Sequence, residues 1–189
     1  MIRFDNVPPE VVQAMCTPMH LVLPPVISSP TGRPTGALYI GSMSALHDID
    51  LLRDHSVTHL VQVLDVPWLP SNSNGMNCYR IDVLDSSSTD LRPYLEPACN
   101  WIQSALLSGR TVLVHCQQGI SRSAAIVLAY LIRFRGMNYD EAVCFLKTRR
   151  ACVKPNPGFV RILREWDAFW KAAAASASRP GSLQRRFTT

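Results

Sequence analysis

The sequence predicts an α/β protein with a central, mostly parallel sheet of about four to five strands and helices on both faces. Two observations support this fold class. First, short runs of β-branched and apolar residues alternate along the chain with segments whose apolar residues recur at helical spacing. Second, the runs are apolar on both sides, as expected of parallel strands that helices cover. The chain has 189 residues, which is enough for one such core.

Four segments are predicted to be strands. Each is a short run of apolar or β-branched residues, and turn-forming residues separate several of them from their neighbours. The predicted strands are residues 37–41 (ALYIG), 57–64 (VTHLVQVL), 78–83 (CYRIDV) and 111–115 (TVLVH). The turn chemistry of residues 65–77 predicts a loop between the second and third strands.

Five segments are predicted to be helices. Ser42 or Ser44 can cap the first helix, which extends to Asp54. Pro93 suits the first turn of the next helix, and Gly109 ends its apolar stripe. The other helices are predicted at about residues 122–135, 139–149 and 158–172.

Composition divides the chain into three parts. Residues 1–35 contain seven of the fourteen prolines and are predicted to be an irregular lead-in. Residues 36–172 contain all the predicted strands and helices and form the predicted domain. Residues 173–189 are a basic tail rich in Ala and Ser without an apolar stripe, and we expect this tail to be flexible.

The charge and the cysteines restrict the class of protein. The net charge is +5 and the basic residues are scattered, so we expect no nucleic-acid partner. The six cysteines form neither a CxxC pair nor a zinc-ligand spacing and are predicted to be reduced thiols of an intracellular protein. We find no secretory signal and no membrane segment in the sequence. The expected location is the cytoplasm, with the nucleus as a further possibility, and the sequence makes no prediction about oligomeric state.

The stretch HCQQGISRS, residues 115–123, joins a predicted strand to a predicted helix. The free N–H groups of such a turn favour an anion, and they favour the thiolate of Cys116. A lone cysteine is most often a packed core residue, so the prediction of a thiolate at Cys116 depends on its neighbours. Arg122 offers a planar fork for two phosphate oxygens, and Ser123 can donate a hydrogen bond to the sulfur. The residues expected to surround the anion are Gln117, Gln118, Gly119, Ile120, Ser121 and Arg122.

This stretch resembles the signature of the cysteine-dependent protein phosphatases, in which HC is followed by five residues, Arg, and then Ser or Thr. With the following AAIVLAYLI it is most similar to the dual-specificity branch, and the resemblance covers about residues 36–170. In the similar LKTRRACVKPNPGF segment, Ala151 stands in the place of a frequent proline. The resemblance implies a protein tyrosine phosphatase-like fold, with residues 36–172 as the catalytic domain. It also implies a cysteinyl-phosphate intermediate, and we expect no metal and no other cofactor.

Hydrolysis by a thiolate requires a proton for the departing oxygen, and three aspartates are candidates for the general acid. Alternation along residues 78–83 places Asp82 in a strand, and Asp90 is positioned to cap the next helix. Asp85 lies in a loop of small residues at the strand's carboxyl end. The family's pattern also has its general acid at this position, so we prefer Asp85 over the other two.

Four further residues receive two interpretations each. His115 can orient the loop and tune the thiolate by hydrogen bonding, but an ordinary buried histidine also fits. The resemblance implies that Asn156 supports the loop, although Asn between two prolines is also a turn former. Arg149 and Arg150 could contact a second phosphate or an acidic substrate, and the solvated end of a helix is the preferred interpretation.

The leading hypothesis is a protein phosphatase that acts on phosphotyrosine and on phosphoserine or phosphothreonine, with a phosphorylated protein as its partner. One alternative keeps the chemistry and acts on a phosphoinositide, a glucan or an RNA 5′-phosphate. The uncharged Gln117, Gln118 and Ile120 disfavour a lipid substrate. Another alternative is a module that binds phosphoproteins without hydrolysis. Inactive relatives usually lack the cysteine or the arginine, and both are present here.

Overall fold

The computed structural model describes residues 7–27, 32–65 and 75–177. The strands are β1 (Met19–Leu23), β2 (Leu38–Gly41), β3 (Val57–Val63), β4 (Asn77–Ile81) and β5 (Thr111–His115). The α-helices are α1 (Pro9–Cys16), α2 (Ile49–Asp54), α3 (Arg92–Leu107), α4 (Arg122–Arg135), α5 (Tyr139–Arg149) and α6 (Pro157–Ala177), and a 3₁₀-helix spans Met43–His47. Within this part of the chain, no helix is both long and apolar enough to cross a membrane.

The described residues form a sheet of five strands in the order β1-β2-β5-β3-β4. Strands β2, β5, β3 and β4 are parallel, whereas β1 pairs antiparallel with β2 at one edge. This arrangement confirms the predicted fold class. His115, the last residue of β5, is paired with Gly41 on one side and with Gln62 on the other. The turn after β5 therefore leaves the carboxyl edge of the sheet at its centre, where parallel sheets bind ligands.

Hydrophobic cores cover both faces of the sheet, as the apolar runs predicted. The larger core lies between the sheet and α3, α4, α5 and α6, and it includes Val112 and Val114 of β5. The smaller core lies under the 3₁₀-helix and α2, and it includes Leu113. Successive side chains of a strand point to opposite faces, so the central strand contributes to both cores. Helix α4 is buried over most of its length, which fixes the turn that precedes it.

The prediction of an irregular lead-in at residues 1–35 is wrong for residues 9–23, which form α1 and β1. Pro9 occupies the first turn of α1. A backbone N–H at this position has no intrahelical acceptor, so proline loses no hydrogen bond there. Strand β1 extends the sheet by pairing with β2, and its Val22 is fully buried. An edge strand is stabilised by its partner, so local turn chemistry did not reveal it. Residues 1–6 and 28–31 of this prediction lie outside the described residues.

Several predicted boundaries also change, most of them by one or two residues. The helix expected after Ser42 is a 3₁₀-helix followed by α2, and the cap of α2 is Asp48, whose Oδ1 accepts the N–H of Leu51 at 2.9 Å. The predicted strand at residues 78–83 already ends at Ile81, as β4. Helix α6 continues to residue 177, so residues 173–177 are helical rather than a flexible tail. Residues 178–189 of the predicted tail, and 66–74 of the predicted loop, lie outside the described residues.

Candidate active site

The cysteine loop, residues 116–122, connects β5 to α4 and surrounds the Cys116 sulfur with donors. Cys116 is 2% exposed, and its Sγ accepts hydrogen bonds from the Gly119 N–H and the Ser123 hydroxyl, both at 3.2 Å. Both donors stabilise negative charge on the sulfur. Gly119 has a φ of +69°, and a Cβ at this position would lie 2.6 Å from the Gly41 oxygen. The tight curl of the loop therefore requires glycine.

Arg122, the first residue of α4, lies beside this loop and is 8% exposed. Its Nη1 donates to the Asp65 carboxylate at 2.7 Å and to the Val83 carbonyl at 3.2 Å. Its Nε is buried and has no hydrogen-bond partner among the described residues. Nε belongs to the edge of the guanidinium that makes bidentate contacts with phosphate. Nη1 is thus anchored, whereas Nε makes no hydrogen bond within the described residues.

Asp65 contacts the site, although the turn chemistry of residues 65–77 predicts only a loop there. Its Oδ1 accepts the hydrogen bond from Arg122, and this contact is the main reason that the pKa of Asp65 lies below its ordinary value. Asp65 follows β3, a strand adjacent to β5 in the sheet. An acidic residue at the carboxyl end of a predicted parallel strand is the signal that could have identified it.

Asp85 contacts the cysteine loop through one carboxylate oxygen. Oδ1 accepts hydrogen bonds from the Ser121 hydroxyl at 2.6 Å and from the Asn156 side-chain amide at 2.8 Å. Oδ2 lies 3.9 Å from Nε of Arg122. The carboxylate is therefore held by one oxygen, and its second oxygen lies beside the edge of Arg122 that an anion can use.

The other two acid candidates make different contacts. Asp82 forms an exposed ion pair with Arg80, and it lies just beyond β4 rather than inside a strand. Asp90 accepts a hydrogen bond from the N–H of Arg92 at the start of α3, but Leu91 occupies the N-cap position, so the prediction that Asp90 caps this helix is wrong. The contacts of Asp85 with the cysteine loop favour it as the acid.

Asn156 links Asp85 to the cysteine loop and to α6. Its N–H donates to the Ser121 hydroxyl at 3.1 Å, and its Oδ1 accepts the N–H of Phe159 at 3.0 Å in the first turn of α6. Gly158 packs closely against the segment that carries Asp85. A Cβ at Gly158 would lie 2.1 Å from the Ser87 oxygen. Asn156 thus contacts the loop, as the resemblance implied, and it also caps α6.

His115 is fully buried, and neither of its ring nitrogens has a hydrogen-bond partner among the described residues. Burial lowers its pKa to about 4, and the nearby backbone of Cys116 offsets only part of this effect. His115 is thus a buried, neutral histidine beside Cys116, and its role in orienting the loop and tuning the thiolate stays a prediction.

The remaining loop residues and the arginines at the end of α5 differ in solvent exposure. Gln117 and Gln118 are exposed at the outer side of the loop, and Ile120 is partly buried. Arg149 is exposed, as expected for the end of a helix. Arg150 is 0% exposed, so the solvated-end interpretation is wrong for it. Its guanidinium instead donates to the carbonyl oxygens of Gln118 and Gly119, which excludes direct contact with a second phosphate at the surface.

Comparisons with known proteins agree with this geometry. Dual specificity protein phosphatase 1B of Arabidopsis thaliana is 37% identical over 130 residues, which are 69% of this chain and 77% of that protein. The mouse serine/threonine/tyrosine-interacting protein is 32% identical over 141 residues, which are 71% of this chain but only 63% of that protein. The crystal structure of human dual specificity phosphatase 28 superposes with a TM-score of 0.69 at 29% identity and covers 82% of this chain and 96% of that one. Residues 38–169 match the family model of the dual specificity phosphatase catalytic domain, and the chain therefore belongs to the dual specificity phosphatase family.

Proposed function

We propose that the protein hydrolyses phosphotyrosine and phosphoserine or phosphothreonine in protein substrates, through a cysteinyl-phosphate intermediate. One observation carries this proposal. The two donors to Cys116 Sγ, the available Nε of Arg122 and the Oδ2 of Asp85 converge on the same loop. This arrangement supplies a nucleophile, an anion-binding fork and a proton donor together.

In the first step, the Cys116 thiolate attacks phosphorus and an S–P bond forms as the P–O bond to the substrate breaks. Arg122 and the loop N–H groups bind the equatorial oxygens, where negative charge must be stabilised. Asp85 gives the proton on Oδ2 to the departing oxygen, because Oδ1 is already occupied by Ser121 and Asn156. The leaving group departs as a neutral alcohol or phenol.

In the second step, water attacks the phosphorus of the cysteinyl phosphate. Asp85, now ionised, accepts a proton from this water, and the S–P bond breaks to release inorganic phosphate. The Ser123 hydroxyl and the Gly119 N–H, both 3.2 Å from the sulfur, stabilise the returning thiolate. Asp85 regains its proton, so the enzyme ends in its initial state.

The test compares phosphotyrosine and phosphothreonine peptides as substrates of the wild type and of two variants. Cys116→Ser should abolish hydrolysis of both peptides. Asp85→Asn should lower kcat on the order of 100-fold for phosphothreonine and less for an aryl phosphate, whose leaving group needs less protonation. Mass spectrometry after rapid quench should find the phosphate on Cys116. A wild type that binds phosphopeptides without turnover would instead establish the binding module.

The alternative substrates are distinguished by a second comparison. Gln117 and Gln118 are exposed on the loop and uncharged, which favours singly phosphorylated side chains over highly anionic head groups. We expect kcat/KM for phosphopeptides to exceed that for phosphoinositide vesicles, phosphorylated glucan and RNA 5′-phosphate. The reverse order would assign the same chemistry to a non-protein phosphate.

A further inference from the structure

The four central carbonyl groups of the cysteine loop are all held from outside the loop. The Met43 N–H donates to the Gln117 oxygen at 3.1 Å, and the Lys154 N–H donates to the Ile120 oxygen at 2.9 Å. The two carbonyls between them both accept from Arg150. Its Nη2 donates to Gln118 at 3.0 Å and its Nε donates to Gly119 at 2.8 Å. One side chain thus holds half of this set.

Because the peptide group is planar, these contacts to the carbonyl groups also set the direction of the N–H groups that face the anion site. In a trans peptide the C=O of one residue and the N–H of the next point in opposite directions. A carbonyl drawn outward therefore directs the following N–H inward. The structure shows this for the peptide between Gln118 and Gly119, because the Gly119 N–H donates to Cys116 Sγ at 3.2 Å. By the same geometry, the contact of Arg150 with the Gly119 oxygen directs the Ile120 N–H inward.

The side chain of Arg150 is held by Thr17 and His20 near the N-terminus. Its Nη1 donates to the Thr17 oxygen at 2.9 Å and contacts Nδ1 of His20, in β1, at 2.8 Å. Nη1 of an arginine is always a donor, so His20 must accept at Nδ1 and be neutral. Burial and the charge of Arg150 both lower the pKa of His20, which favours this state. Because Arg150 is fully buried, its geometry is fixed by these partners and not by solvent.

We propose that Arg150 is a positioning residue that aims the N–H groups of Gly119 and Ile120 at the substrate phosphate, and that Thr17 and His20 hold it in place. The catalytic part of this inference rests on the proposed function. The anion-binding part does not, because inorganic phosphate occupies the same N–H groups without any turnover.

The experiment measures inorganic phosphate binding by calorimetry, kcat and KM for p-nitrophenyl phosphate, and thermal unfolding, for Arg150→Lys and Arg150→Met. The ammonium of lysine keeps the charge but lacks the planar fork that reaches two carbonyls. We expect both variants to bind phosphate about tenfold more weakly and to lose kcat on the order of 100-fold. Arg149→Met is the matched control, because Arg149 is the exposed neighbour and should retain wild-type values.

Either Arg150 variant, if folded and wild-type in phosphate affinity and kcat, would overturn the proposal. A merely structural role would lower the unfolding temperature and leave the phosphate affinity of the folded protein unchanged. If neither Arg150 variant folds, His20→Ala decides, since it leaves Arg150 in place and removes one partner. Phosphate binding several-fold weaker in this variant supports the proposal, and wild-type affinity refutes it. A wild type that binds phosphate without hydrolysing p-nitrophenyl phosphate contradicts the proposed function alone.

Discussion

Because His115 is buried, we expect the protein to lose stability in acid. The size of this loss follows from the pKa of His115. Folding lowers this pKa from the ordinary 6.5 to about 4, because burial of the ring disfavours its charged form by more than the Cys116 backbone stabilises it. The unfolded chain therefore binds more protons than the folded chain between these two pH values. The contribution of neutral His115 to stability is complete above pH 6.5 and is lost as the pH falls towards 4.

The magnitude can be worked out for a convenient pair of conditions. Each pH unit between the unfolded and folded pKa values changes the free energy of unfolding by about 1.4 kcal/mol. At pH 5, about 1.5 units below 6.5, the protein should have lost about 2 kcal/mol through His115 alone. This is a large share of the roughly 5–15 kcal/mol that stabilises a typical domain.

The assay is urea denaturation of the wild type and of His115→Asn at pH 7 and at pH 5, followed by tryptophan fluorescence. The variant keeps a polar side chain that does not titrate, so its stability should fall by about 2 kcal/mol less than that of the wild type between the two pH values. His20 and His59, whose pKa values burial also lowers, contribute equally to both proteins and cancel. His47→Asn, at an exposed position, is the matched control. Equal losses in the wild type and His115→Asn would refute the reasoning.

Two further predictions concern the site. Asp65→Asn removes the charge that holds Nη1 of Arg122, so kcat/KM for an aryl phosphate should fall about tenfold in steady-state kinetics. An unchanged kcat/KM would show that Val83 alone suffices to orient the guanidinium. Gly158→Ala places a methyl group 2.1 Å from the Ser87 oxygen and must displace the segment that carries Asp85, the proposed general acid. Its hydrolysis of phosphothreonine should therefore fall more than its hydrolysis of p-nitrophenyl phosphate, and equal losses would contradict this role.

Much of the fold and the centre of the site could be predicted because their signals are local. Apolar runs and helical spacing identified the four parallel strands of the described ranges and, with small shifts in their ends, most of the helices found there. Within nine residues, HCQQGISRS contains the proposed nucleophile Cys116, the glycine that the curl requires and Arg122. A strand, a tight turn and a helix are short-range structures, so these residues come together without help from the rest of the chain.

The remaining features depend on contacts between distant residues, and only the tertiary structure decided them. Arg150 and Thr17 are 133 positions apart, and Asp65 and Arg122 are 57 apart. Read locally, Arg150 is a charged residue at the end of a helix, and Asp65 is a polar residue in a loop. Burial against the cysteine loop makes the first a support of the anion site, and the parallel order of the strands brings the second to Arg122. By itself, the sequence determined the reacting groups, and the tertiary structure decided what holds them in place, because support requires partners that only the folded chain brings near.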